Sequence, residues 1–117
     1  MAEEMKPHYL AESPNKQTHL DLCMAMAVSL GNKVFIDQSL ALRDRPDQTD
    51  TLRAVRCPTL ILHGKDDRLC PPERHYLMQE LIPHARLVEV NGAGHLPPIE
   101  APVATYTHLS DWLWPEE

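Results

Sequence analysis

Two short loops in this sequence carry groups that could move a proton: Gly64-Lys65-Asp66-Asp67-Arg68-Leu69-Cys70-Pro71 and Gly92-Ala93-Gly94-His95-Leu96-Pro97. If the two loops lie side by side, an Asp67 carboxylate can accept the N–H of the His95 imidazole. Such a bond fixes the tautomer and leaves the second ring nitrogen free to take a proton from a nucleophile. That pairing is the acid and base of a hydrolytic triad. Asp66 is the neighbour most easily confused with Asp67, and it reads as a turn or solvent-facing carboxylate.

Other candidate groups suggest less. The seven histidines include no H-E-x-x-H or other metal-ligand spacing, so neither a metal nor a cofactor is expected. Cys23, Cys57 and Cys70 form no C-x-x-C pair, and an odd number cannot close a full disulfide framework, so they read as thiols. His63 reads as packing or polar lining at the end of a strand. His75, His84 and His108 fall at positions expected to be exposed and without function. Met24 and Met26 read as helix core, with the lining of an apolar pocket as the alternative.

The elements that must position Asp67 and His95 follow from periodicity and punctuation. Thr59-Leu60-Ile61-Leu62-His63, bounded by Pro58 and Gly64, has the form of a strand buried on both faces. Pro71-Pro72-Glu73 opens a helix with Leu77, Met78, Leu81 and Ile82 as its apolar stripe, and Pro83 ends it. Arg86-Leu87-Val88-Glu89-Val90 is a second strand closed by Asn91-Gly92. A last helix starts near Pro102 and is expected to bury Val103, Tyr106, Leu109 and Leu113. Strand, helix, strand, helix with short connections predicts parallel strands and a right-handed crossover, with both loops at the carboxyl ends of the strands, where open parallel sheets hold their sites.

Before Cys57-Pro58 the pattern is helical. His19 to Leu30 predicts a helix stopped by Gly31, Lys33 to Arg43 a second with Ile36 and Leu40 on one face, and Thr49 to Val55 a third. Residues 1–18, with Pro7 and Pro14, read as a loose lead-in. The chain thus divides into 1–56 and 57–117, together one domain's worth of protein at 117 residues. With 11 Lys+Arg against 17 Asp+Glu, the formal charge of -6 repels phosphate backbones, so nucleic acid is not an expected partner. No apolar run approaches the roughly 18 residues of a membrane span, and Met1-Ala2-Glu3-Glu4 is acidic where a secretory signal begins basic. The expected compartment is the cytoplasm, with no membrane partner.

These residues resemble the α/β-hydrolase superfamily. The likeness is carried by Cys57-Pro58-Thr59-Leu60-Ile61-Leu62-His63-Gly64, by Asp67 three residues after that glycine with Pro71 four further on, by Gly92-Ala93-Gly94-His95, and by Pro102 and Trp112-Leu113. The resemblance implies that Asp67, rather than Asp66, is the triad acid and His95 the base. It implies a partial α/β-hydrolase fold in which 1–56 is the second half of a helical lid, as Phe35-Ile36-Asp37-Gln38 and Arg45-Pro46-Asp47 suggest, and 57–117 is the C-terminal βαβα part of the core.

The family's G-x-S-x-G elbow is not found in these residues. The nearest approach is Ala27-Val28-Ser29-Leu30-Gly31. Only 38 residues separate Ser29 from Asp67, too few for the intervening helices and strand, and its flanks read as helix, so Ser29 reads as a helix-end serine. The expectation is a C-terminal fragment or subunit of a serine-type, esterase-like hydrolase. It would be inactive alone and would act on small apolar esters once an N-terminal half completes it. An open sheet edge or the lid helices would favour a homo-oligomer. The alternative is a non-catalytic oligomeric remnant or a module binding an apolar ligand.

Overall fold

The computed structural model describes residues 6–116. A 3-10 turn at Lys6–Tyr9 leads into helix α1 (Lys16–Asp44) and the short helix α2 (Thr49–Arg53). Then follow strand β1 (Leu60–Gly64), helix α3 (Pro72–Leu81), strand β2 (Arg86–Val90), the one-turn helix α4 (Pro97–Glu100) and helix α5 (Pro102–Leu113). The architecture is α/β, with helices around one two-stranded sheet.

Proline and glycine place the boundaries of the second half. Pro72 and Pro102 sit in the first turns of α3 and α5, where a missing N–H costs nothing and φ is already helical. The two strands pair in parallel, from Leu60 opposite Arg86 to Gly64 opposite Val90. Beyond the last pair the ladder continues into the loops: Lys65 N–H donates to Val90 O at 2.9 Å and Asp66 N–H to Ala93 O at 2.9 Å. The loops after β1 and β2 therefore leave the same end of the sheet in fixed register.

Two small apolar clusters hold the sheet. Ile61, Ile82 and Ala85 pack with Leu52, Val55, Met78, Leu81 and Leu87 on one side, and Val88, Val90 and Ala93 pack with Leu60, Leu62, Ala101 and Ala104 on the other. Leu77 belongs to neither and is exposed. Helix α5 reverses the expected face. Val103, Tyr106, Leu109 and Leu113 are all exposed, Val103 at 78%, while Thr105 is buried and Ala101 and Ala104 sit over β2. Small side chains let the helix approach the strand closely, and the larger apolar face is left without a partner among the described residues.

The segment before β1 departs from expectation in several ways. Helix α1 begins at Lys16 instead of His19, and it runs to Asp44 with a break at Gly31, whose φ of 83° and ψ of 173° lie outside helical space. The glycine stop is thus a kink between two helical stretches, in a conformation that glycine tolerates best. Most of the apolar residues of α1 are exposed, among them Met26, Ile36 and Leu40, whereas Cys23 is buried and Met24 half-buried, so Met26 is not helix core. By length and composition alone α1 is also long and apolar enough to cross a membrane, with a mean hydropathy of 1.2 in its best window, contrary to the reading of the sequence. The lead-in is not loose where it is described: Leu10 and Ala11 are buried.

Candidate active site

The structure brings Asp67 and His95 together. His95 Nδ1 lies 3.0 Å from Asp67 Oδ2, so with the proton on Nδ1 the ring donates to the carboxylate and Nε2 keeps its lone pair. Asp67 is buried, at 5% exposure, and is locked by its own loop. Its Oδ1 accepts from the backbone N–H of Leu69 at 3.0 Å and of Cys70 at 2.9 Å. One oxygen thus serves the turn and the other serves the histidine, so the turn aims the acid. The His95 side chain is about one-third exposed, open enough for Nε2 to meet an outside group. Asp66 stays exposed and contributes its backbone N–H to Ala93, not its carboxylate to the site.

Residues outside the predicted pair complete this setting. Tyr9 O accepts from the His95 N–H at 2.5 Å, and the Tyr9 ring lies 5.8 Å from the imidazole, tilted by 46°. Glu100 accepts backbone N–H groups on both sides of the histidine. A main-chain carbonyl leaves no mark in the sequence, so Tyr9 could not have been found there. Glu100 had one signal, an acidic residue one turn beyond Pro97-Pro98.

A second constellation lies behind the acid loop. His75 is half-buried, not exposed as expected, and stacks on the fully buried His63 with ring centroids 4.3 Å apart and planes 9° from parallel. His75 Nε2 is 3.2 Å from Cys70 O, on the turn that holds Asp67. His63 Nε2 faces Glu89 Oε1 at 3.8 Å, and the Tyr76 hydroxyl donates to the same oxygen at 2.9 Å. His108 is also half-buried, with Nδ1 3.4 Å from an Arg86 guanidinium nitrogen, whereas His84 is exposed as expected.

Burial, reinforced by His63, holds the His75 imidazole below its ordinary value of 6.5, against the opposing pull of the Cys70 carbonyl and of Asp67. Below pH 6.5 the unfolded chain therefore binds a proton that the folded one refuses. Stability contributed by neutral His75 is complete above 6.5 and falls as the pH drops toward the depressed folded value. Urea midpoints measured from about pH 7.5 down to about pH 5 should decline less steeply in His75→Phe, which keeps the stacking and removes the titration. Equal slopes in the two proteins would refute this account.

Ser29 is not in the site. It lies in α1 beside Ala25, Met26 and Leu30 around a shallow depression of about 420 Å³, and no hydrogen bond joins it to His95 among the described residues. It lacks the strand-to-turn-to-helix context of a nucleophile elbow.

Comparison with known proteins identifies the fold family. A model of the alpha/beta hydrolase fold matches residues 8–102. A thermophilic esterase from Thermogutta terrifontis superimposes with a TM-score of 0.85 at 36% identity, over 96% of this chain and 42% of that one. A proline iminopeptidase of Lactobacillus delbrueckii subsp. bulgaricus is 37% identical over 67 residues, 57% of this chain and 22% of its own length. Lipase 3 of Moraxella sp. (strain TA144) is 41% identical over 44 residues, 38% of this chain and 14% of its own. The chain thus spans less than half the length of each protein it matches here. With its parallel strands, its acid and histidine loops at one sheet end, and a family match over most of its length, the chain belongs to the α/β-hydrolase fold family.

Proposed function

We propose that Asp67 and His95 are the acid and base of a serine-type, esterase-like hydrolase whose nucleophile and oxyanion donors come from a polypeptide segment outside these 117 residues. The observation that carries this reading is the 3.0 Å contact between Asp67 Oδ2 and His95 Nδ1 at the carboxyl end of two parallel strands. His95 Nε2 takes the proton of a serine hydroxyl as its oxygen attacks the acyl carbon. The imidazolium so formed is held by Asp67 and returns the proton to the departing alkoxide, and water then repeats the cycle to release the acid. Similarity to an esterase and a lipase supports small apolar esters as the substrate class.

The outer edges of β1 and β2, unpaired among the described residues, and the exposed apolar faces of α1 and α5 offer the completing segment, or a second copy of the chain, a place to pack. A fluorophosphonate probe tests the reading. Labelling is expected only when a segment carrying G-x-S-x-G is supplied, on that segment's serine. Labelling of the 117-residue chain alone at Ser29 would contradict it. So would no labelling in either case, which would favour a non-catalytic module.

A further inference from the structure

We infer that Glu100 is a positioning residue for His95, clamping the histidine loop from both sides and tying it to the Tyr9–Ala11 segment. The inference rests on the assignment of His95 as the catalytic base. Glu100 Oε2 accepts from Gly94 N–H at 2.9 Å and from Leu96 N–H at 3.0 Å, the two backbone donors that flank the histidine. Its Oε1 accepts from Ala11 N–H at 2.6 Å. The remaining donor of the stretch, His95 N–H, goes to Tyr9 O at 2.5 Å. One carboxylate therefore satisfies three backbone donors, and the segment it recruits supplies the acceptor for the fourth.

The local sequence makes such a clamp necessary. Helix α4 opens with Pro97-Pro98, which bring no N–H groups, and Ile99 N–H donates to Leu96 O, so the cap donor left at its start is that of Leu96, preceded by the loop donors of Gly94 and His95. An acceptor one turn ahead in the same helix reaches back to two of them, and an ionised acceptor holds N–H groups about twice as strongly as a neutral one. The lead-in comes close enough to help because Gly94 has no side chain. A Cβ there would stand 2.7 Å from Tyr9 O and 2.9 Å from Ala11 N. The hydrogen bonds of Glu100 go to backbone N–H groups and not to Asp67 or the imidazole; they fix the backbone from which the ring projects.

The test uses the isotope-labelled 117-residue chain and follows the His95 Nδ1 proton, whose low-field resonance and slow exchange report the bond to Asp67. In Glu100→Gln one acceptor oxygen survives and an amide N–H₂ faces a backbone donor. The Nδ1 proton should then exchange about tenfold or more faster, while Ile61 and Val88 amides in the sheet keep their protection. An unchanged Nδ1 proton beside shifted Gly94, Leu96 and Ala11 amides would overturn the positioning role and leave Glu100 a structural cap.

Asp67→Asn separates this failure from that of the underlying reading. Loss of the signal there with none in Glu100→Gln refutes only the clamp, whereas persistence of the signal in Asp67→Asn refutes the acid–base pair itself. Should Glu100→Gln lose sheet protection, exchange in the unaltered protein decides. The Gly94, Leu96 and Ala11 amides and the Nδ1 proton then open together if the clamp sets the ring, and independent opening overturns it.

Discussion

Asp67→Asn is expected to lower kcat of the completed enzyme on a short-chain p-nitrophenyl ester by about 10⁴-fold with little change in KM, the scale of the same change in a well-studied Ser-His-Asp triad. The geometry says why an isosteric change costs so much. Leu69 N–H and Cys70 N–H both need an acceptor where Oδ1 stands, so the Asn oxygen turns to them and its N–H₂ is directed at His95 Nδ1. A donor facing Nδ1 forces the ring proton onto Nε2, where it blocks proton transfer from the nucleophile. Stability should change little, because the turn keeps its acceptor. A variant within tenfold of the parent rate would remove Asp67 from the catalytic role.

Gly64→Ala should produce the largest loss of stability. A Cβ at this position would lie 2.1 Å from Gly94 O, 2.3 Å from Ala93 O and 2.5 Å from the Ala93 carbonyl carbon. All three are backbone atoms that cannot rotate away. Either β1 and the histidine loop separate or the chain fails to fold, at a cost of about 3 kcal/mol or more against a typical total of about 5–15. A fall in Tm of roughly 10 °C or more is expected, and in any folded fraction a displacement of about 1 Å would cost activity on the order of 10²-fold. Gly31→Ala is the comparison: nothing lies within 4 Å of the added carbon, and only the glycine-type backbone conformation is penalised, at about 1–3 kcal/mol. Equal melting shifts in the two variants would refute the close-approach argument.

How much was legible in the sequence depended on what kind of contact did the positioning. Strands β1 and β2 and helix α3 were readable within a residue or two because Pro58, Gly64, Pro72, Pro83 and Asn91-Gly92 punctuate them chemically. The pairing of Asp67 with His95 followed from parallel strands whose loops share one end. Helix α5 was legible as a helix but not by its face. Its strong apolar period, Val103, Tyr106, Leu109 and Leu113, points away from the described residues, and the packed side is made of alanine and threonine. Tyr9 and Ala11 were invisible because they act through main-chain groups. The His63–His75 stack was missed because it depends on how the helix folds back over the end of the strand before it, and neither residue type announces stacking.

The shared ladder of β1 and β2 has one more implication. Because Lys65 and Asp66 donate to Val90 and Ala93 just past the last paired residues, the gap between carboxylate and ring is dictated by how the two strands are aligned lengthwise. A slip of one residue would slide one loop past the other by about 3.3 Å, more than the whole length of the bond between them. Insertions or deletions between Gly64 and His95 are thus tolerable only where they leave that alignment alone, which points to the surface turn around Pro83-His84 as the place where length variation does least harm.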